Sequence, residues 1–415
     1  VKRILDVYLL GETVGTLEQD EHGSMRFTYA PEWLVQTGAI PLSHSLPLRE
    51  EGFGRNESRG FFAGILPEQR QREVIAKNLG VSAGNDFALL DRIGGECAGA
   101  VTFLRRGQEP LKQKEEYRTL SAGELAEILR ALPRRPLMAG DEGVRLSLAG
   151  AQEKLAIHRS PQGISIPLGG APSTHILKPA IERFEGLVHN EAFCMRLARV
   201  IGLTVAPVEV GNIEGIDYLL VERYDRHWKS DGEPMGQKLK RIHQEDFCQA
   251  LGIVPERKYQ NEGGPSLKES FALLRECSSS PVLDLNALLD AVIFNALIGN
   301  HDAHGKNFPL IYSGGKTRMA PLYDLLCTTF YPELSTKMAM KVGGEYNSRK
   351  LTGANWERMA EESGLNKLMV KRRVLEMAEQ IRQKLPDATI AHPTAEGVSK
   401  IIQKSCESAS RRFRL

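Results

Sequence analysis

The sequence predicts an α+β protein in three parts: a strand-rich N-terminal domain, a second strand-rich lobe and a helical C-terminal lobe. Strand-like apolar runs bounded by turn residues continue to about residue 226, and helical periodicity dominates beyond 241. Within the strand-rich part, the charged run 105–119 lacks aliphatic periodicity and reads as a linker. At 415 residues the chain fits two or three packed units. The expected boundaries are 1–106 for the N-terminal domain, 107–139 for linker and helix, 140–226 for the strand-rich lobe and 227–415 for the helical lobe.

Val7-Tyr8-Leu9-Leu10 and Met25-Arg26-Phe27-Thr28-Tyr29 suggest strands, with Asp20-Glu21-His22-Gly23 as a turn between them. A helix follows Pro67, and Gly99 to Phe103 closes the region as a strand. Ser121 and Glu124 have capping-box spacing ahead of a helix. Arg145-Leu146-Ser147-Leu148 reads as a strand leading into Ala149-Gly150-Ala151-Gln152-Glu153-Lys154, and Leu155 to His158 as a strand leading out. His175 to Lys178 is a further strand, Leu187 to Ile201 a helix and Tyr218 to Tyr224 a buried strand. Leu285, Leu288, Leu289, Val292, Ala296 and Leu297 mark one face of a helix that stops at Gly299.

Hydrophobic content of 41% and charged content of 26% allow a sizeable core, and a net charge of +2 gives no chain-wide field toward nucleic acid or membrane. Six dispersed cysteines with no C-x-x-C pair suit reduced thiols in a cytoplasm. Asp6 and Glu12 interrupt any apolar signal core, and the longest apolar stretch, Ala291 to Ile298, is too short to span a bilayer. The expectation is a cytoplasmic protein with no membrane contact.

The segment Gly299-Asn300-His301-Asp302-Ala303-His304-Gly305-Lys306-Asn307-Phe308 carries most of the chemistry. An Asp, an Asn five residues on, and a second Asp at Asp324 are what a phosphotransferase needs. Asp302 would accept the proton of an attacking hydroxyl. Asn307 and Asp324 would hold Mg²⁺ on ATP, with His304 or Lys306 neutralising the transferred group. Upstream, Ala149, Gly150 and Ala151 present no bulk, so their N–H groups could form a nest for phosphate; a plain tight hairpin would read the same way. Lys178 stands either at a strand exit in water or reaching for a phosphate. Glu191, on the next helix, is either its partner or an exposed residue near the helix start. Gly314-Gly315-Lys316-Thr317 is no Walker loop, because Leu310 occupies the required first glycine. A rival reading takes His301-Asp302, or His301 with His304, as ligands of a metal-dependent phosphohydrolase, with His189 and His243 as further candidates. That enzyme would have no use for the small-residue loop or the strand lysine, so the phosphotransferase reading is preferred.

These residues resemble the HipA family of bacterial serine/threonine kinases, the toxins of type II toxin–antitoxin pairs. Ala30-Pro31-Glu32-Trp33-Leu34, Ser45-Leu46-Pro47-Leu48 and Phe61-Phe62-Ala63-Gly64-Ile65-Leu66-Pro67 look like its N-terminal domain. Residues 147–154, 174–178, 221–226 and 302–308 look like its kinase core, which is bilobal, protein-kinase-like and related to phosphoinositide kinases. The resemblance implies that Ala149, Gly150, Ala151, Gln152, Glu153 and Lys154 form the ATP phosphate loop and that Lys178 contacts the phosphates. It makes Glu222, Arg223 and Tyr224 the adenine-side hinge, Asp302 the base, and His304, Asn307, Tyr323 and Asp324 the nucleotide and metal residues. Ser147 matches a serine whose autophosphorylation silences family members. The implied partners are an aminoacyl-tRNA synthetase substrate (glutamyl-tRNA synthetase first) and a HipB-like helix-turn-helix antitoxin that binds operator DNA. A scaffold acting on DNA only through that antitoxin is the non-catalytic alternative, against which the full set of Lys178, Asp302, Asn307 and Asp324 argues. Two departures stand out. Asn300-His301 replaces the small or hydroxyl residue common before the base, and the helix after Trp356 is acidic at Glu361-Glu362. Lys371-Arg372-Arg373, Lys400, Lys404, Arg411, Arg412 and Arg414 are either a solvated face or a DNA patch.

Overall fold

The computed structural model describes residues 2–108, 116–230 and 237–413, so 109–115 of the expected linker and Arg414 lie outside the described residues. The chain forms two compact units. One comprises 1–179, 211–255 and 311–315; the other comprises 180–210, 256–310 and 316–415. The region 1–106 therefore shares a unit with most of 140–226.

In the first unit, β1 (Arg3–Leu9), β2 (Glu12–Gln19), β3 (Met25–Tyr29) and β4 (Val101–Arg105) form an antiparallel sheet in the order β3-β2-β1-β4. The expected turn is present: the Asp20 carboxylate accepts from the N–H groups of His22 and Ser24 at 3.0 and 2.8 Å. Strand β2 was not foreseen, because Gly15 interrupts its apolar pattern. A Cβ there would meet the Thr28 carbonyl oxygen at 2.2 Å, so close packing on β3 requires the glycine. Helices Arg55–Gly64, Gln69–Asn78 and Asp86–Ile93 accompany the sheet, whose core includes Phe27, Phe53, Phe61, Phe62 and Phe103.

A six-stranded sheet follows, built from β5 (Glu116–Thr119), β6 (Leu155–Ser160), β7 (Gly163–Leu168), β8 (His175–Pro179), β9 (Val208–Ile213) and β10 (Ile216–Glu222). Its order is β5-β7-β6-β8-β10-β9. The strand expected at Arg145–Leu148 is not part of it. That segment forms only a parallel bridge between Leu146 and Glu96, with Glu96 N–H donating to Arg145 O at 2.8 Å and Ser147 N–H to Glu96 O at 2.9 Å. Its hydrogen bonds thus go to the N-terminal region instead of to a hairpin partner. The Ser121 capping box forms as expected, opening the helix Ala122–Ala131.

The second unit is largely helical and is built around the helix Pro281–Ile298, which packs against Leu267–Cys277, Lys367–Lys384 and Pro393–Arg412. That helix is longer than the apolar stretch read from the sequence. Its mean hydropathy of 1.6 over 18 residues would suffice by length and composition to cross a membrane, but it is the buried centre of this unit. The basic run on Lys367–Lys384 is ion-paired, Lys371 to Glu357, Arg372 to Glu376 and Arg373 to Asp290.

A buried ion network lies within the first unit. Glu96 receives Arg223 and Arg226 on one oxygen, at 3.1 and 2.7 Å, and Arg241 on the other. Asp225 takes both Nε and Nη2 of Arg223, at 2.9 and 2.7 Å, and the Gly99 N–H at 2.6 Å. Burial alone would raise the Glu96 carboxyl, but Arg226, Arg241, Arg223 and the Ser173 N–H overcome it and hold it at about 2. Since that value lies below an ordinary glutamate's 4.5, the stabilisation is complete above about pH 4.5 and is lost as pH falls toward 2. Glu96→Ala leaves three guanidinium groups without their shared carboxylate, and is expected to cost about 3–5 kcal/mol in urea unfolding at neutral pH. The deficit relative to wild type should shrink as pH is lowered through that window. A loss under about 1 kcal/mol would show that water replaces the carboxylate.

Candidate active site

Each unit carries one set of the residues singled out by the sequence. In the first unit the loop 149–154 leaves the bridge at Leu146 and enters β6. Gly150 has φ 101°, a backbone conformation that strains any residue with a side chain, so glycine is needed at that one position of the loop. Lys154 Nζ donates to Ala149 O at 2.6 Å across it. The loop is also tethered from outside. The Glu68 N–H donates to Gly150 O at 3.2 Å, and the buried Ser147 hydroxyl donates to Ile65 O at 3.1 Å. The segment Ile65–Glu68 therefore shapes the loop, a role that nothing local in the sequence signals.

Lys178 lies on β8 opposite Leu219 of β10 and is 5% exposed, a position a cation occupies only with compensation. At the end of β10, Glu222 is exposed and Tyr224 half-buried, its hydroxyl bonded to Gln244. Arg223 is different. Its N–H donates to Thr174 O at 2.9 Å, its carbonyl accepts from the Arg226 N–H at 3.3 Å, and its guanidinium is buried in the Glu96–Asp225 network, so the residue is committed to the fold on every side.

In the second unit, the helix Pro281–Ile298 ends at Gly299 in the left-handed conformation (φ 73°). The following turn is fixed by Asn300. Its Nδ2 donates to Asn295 Oδ1 at 2.8 Å and to Asp324 O at 3.2 Å, while its Oδ1 accepts from the Asp302 N–H at 3.2 Å. One buried amide thus ties the two key aspartates together. Asp302 itself is exposed, and its Oδ1 accepts from the Tyr259 hydroxyl at 2.6 Å. His304 opens a short 3₁₀ turn in which Asn307 Oδ1 accepts the His304 N–H at 3.2 Å. Asn307 Nδ2 donates to Asp324 Oδ2 at 3.3 Å, and the Tyr323 hydroxyl donates to Lys306 O at 2.5 Å.

Asp324 has φ 53°, which costs a non-glycine residue roughly 1–3 kcal/mol and persists only where the surroundings fix it. They do so from both sides. Leu322 exchanges backbone bonds with Thr204 and Ala206 at 2.9 Å, and the buried Asn190 amide bonds both N–H and carbonyl of Cys327 at 2.8 and 3.0 Å. Asn190 precedes Glu191, which is itself 3% exposed and so not the exposed helix-start residue of the alternative reading. The Asp324 carboxylate and the side-chain carbonyl of Asn307 are hard oxygen donors of the kind Mg²⁺ takes, on side chains joined through Asn307 Nδ2.

The phosphohydrolase alternative loses its first ligand. Both ring nitrogens of His301 are committed, Nδ1 to Ser335 O at 3.1 Å and Nε2 to Ser348 Oγ at 2.9 Å, and burial lowers its pKa. His304 packs edge-on against Tyr259, with ring centroids 5.4 Å apart. His243 is buried, which lowers its pKa to about 4, and His189 stacks on His392 at 3.6 Å. The sequence reading missed Tyr259, Asn190 and the part played by Asn300. Tyr259 lies 43 positions from Asp302 in a turn-like run, with no periodicity to mark it.

Comparison with known proteins is consistent across the chain. Residues 5–104 match the HipA N-terminal domain and residues 146–388 the HipA-like C-terminal domain. A putative kinase of Sinorhizobium fredii, Y4mE, is 47% identical over 98% of this chain and 93% of its own. The serine/threonine-protein kinase toxin HipA of Shewanella oneidensis is 30% identical over 94% of this chain and 90% of its own. The solved Shewanella oneidensis MR-1 complex of HipA, HipB and operator DNA contains a chain that superposes with a TM-score of 0.86 at 28% identity. The match covers 99% of this chain and 98% of that one.

Proposed function

Because the chain belongs to the HipA family, we propose that it is an ATP-dependent serine/threonine protein kinase, the toxin of a type II toxin–antitoxin pair. The observation that carries this reading is Asn300, whose amide holds Asp302 and Asp324 in one turn with Asn307 beside them. A base carboxylate and a hard metal-binding pair are what phosphoryl transfer requires of a protein. In this reading Asp302 takes the proton of the acceptor serine or threonine hydroxyl. Asn307 and Asp324 hold Mg²⁺, which when bound neutralises charge on the phosphates. His304 and Tyr323 complete that wall. Ala149 to Lys154 and Lys178 serve the phosphates, and Glu222, Arg223 and Tyr224 line the adenine side as the hinge. The core is then a bilobal kinase, with 1–106 as N-terminal domain, 140–226 as nucleotide lobe and 227–415 as helical lobe. The acceptor class proposed is an aminoacyl-tRNA synthetase, glutamyl-tRNA synthetase first, whose modification halts charging and growth in the cytoplasm. The partner is a HipB-like antitoxin that brings operator DNA, in line with the assembly of the Shewanella protein.

Asp302→Asn is expected to leave ATP affinity near normal by calorimetry and to lower phosphoryl transfer at least ~10²-fold, the scale of losing a general base. Transfer within a few-fold of wild type would place the base elsewhere. Asp324→Ala is expected to abolish the Mg²⁺ dependence of nucleotide binding; unchanged Mg·ATP affinity would leave Asp324 without its metal role.

Ser147 is proposed as a self-phosphorylated off switch. Its hydroxyl is fully buried and donates to Ile65 O, so the segment must first leave that seat. A phosphoserine can no longer donate there and brings about −1.5 to −2 charge beside the phosphate cradle, which opposes both return of the loop and ATP binding. Wild type mixed with the inert Asp302→Asn chain should place phosphate on Ser147 of the latter, as read by mass spectrometry. An active wild type that never modifies Ser147 removes the switch and leaves the kinase assignment standing.

A further inference from the structure

We propose that Tyr259 is a positioning residue for the catalytic base, holding the Asp302 carboxylate so that one oxygen stays aimed at the acceptor hydroxyl. The inference rests on the kinase reading above and deepens it. Asp302 is exposed, and nothing about an exposed aspartate side chain fixes its rotation. Here the Tyr259 hydroxyl donates to Oδ1 at 2.6 Å, a short bond to a charged acceptor, while among the described residues Oδ2 accepts none. A carboxylate has two oxygens, so a donor on one fixes the direction of the other.

The two side chains are registered to each other by a third segment. The Ala339 N–H donates to His301 O at 2.8 Å, next to Asp302, and the Ala339 carbonyl accepts from the Gln260 N–H at 3.0 Å, next to Tyr259. Gln260 Oε1 also accepts from the Lys341 N–H at 2.9 Å. The turn bearing Tyr259 is closed by the Gly264 N–H on Tyr259 O at 2.8 Å, and the ring lies edge-on to His304. The phenol therefore sits on a frame built from the same residues that carry the base. Since an error of about 1 Å in a reacting group can cost ~10²-fold in rate, such a frame has catalytic weight. A competing role is that the phenol occupies the acceptor's place and must be displaced before reaction. The two roles predict opposite effects when the hydroxyl is removed.

The test uses the full chain as wild type, Tyr259→Phe, Asp302→Asn and the double variant. The readout is transfer of label from Mg·ATP to a degenerate serine/threonine peptide library. Tyr259→Phe is expected to lower kcat roughly tenfold or more while KM for ATP stays within about twofold. In the Asp302→Asn background the same substitution should cause no further loss, because its effect passes through the carboxylate. Unchanged Mg·ATP affinity by calorimetry verifies that the variant is folded. The proposal is overturned if Tyr259→Phe matches wild type, if its loss persists undiminished without Asp302, or if it is faster than wild type. That last result would establish the phenol as a competitor. A wild type that transfers no label, even to its own chain, defeats the kinase premise, and the proposal falls with it.

Discussion

The site in the second unit depends on one neutral side chain between two acids. Asp302 and Asp324 carry the same charge and come from segments 22 residues apart in sequence. Asn300 joins them without adding charge. It accepts from the N–H of the first and donates to the carbonyl of the second, touching neither carboxylate. A hydroxyl residue at 300 could reach one of these groups but not all three, since a single oxygen cannot present an acceptor and a two-hydrogen donor at opposite ends. Helix termination at Gly299 makes this arrangement possible, because only a left-handed residue there turns the chain back. A Cβ at that position would strike Thr329 Oγ1 at 2.4 Å.

In the first unit the constraint is on the backbone: Gly150 stands at φ 101°. The loop 149–154 is held by the Glu68 N–H on one side and Lys154 on the other. Loops held by a few backbone hydrogen bonds lie at the low-stability end of a structure, where local opening costs least. Ser147 is the joint. It is buried, it donates to Ile65 and it leads directly into the loop, so modification of one hydroxyl would unfasten the element on which nucleotide binding is proposed to rest.

Much of this was legible in the sequence, and the failures have physical causes. Elements with a strong local signature emerged as read: the Ser121 capping box, the Asp20 turn, the strand His175–Pro179 and the helix stop at Gly299. Asp302, Asn307 and Asp324 were singled out by residue type and spacing, and the fold does bring them together around Asn300. Strand β2 was hidden by Gly15, whose packing value is tertiary, and Arg145–Leu148 has the composition of a strand but spends its hydrogen bonds on Glu96. Arg223 shows the same limit at a site residue. The motif marks its position, but only the fold reveals that its guanidinium belongs to a buried ion network. Tyr259, Asn190 and the Ile65–Glu68 tether act across 43 to 137 positions, where no periodicity or motif can register them.

The network around Glu96 explains why the segment 222–226 alternates in role. Glu222 is exposed and Tyr224 half-buried, while Arg223, Asp225 and Arg226 are buried. Burying three charges costs several kcal/mol each unless they are paired, so these side chains fix the backbone in a single path. Ion pairs behind the strand end do so: Arg223 reaches Glu96, Asp225, Ser173 and the Cys97 carbonyl at once. Replacement by lysine would keep the charge and lose the planar fork that spans those four partners, so charge alone does not account for the residue at 223.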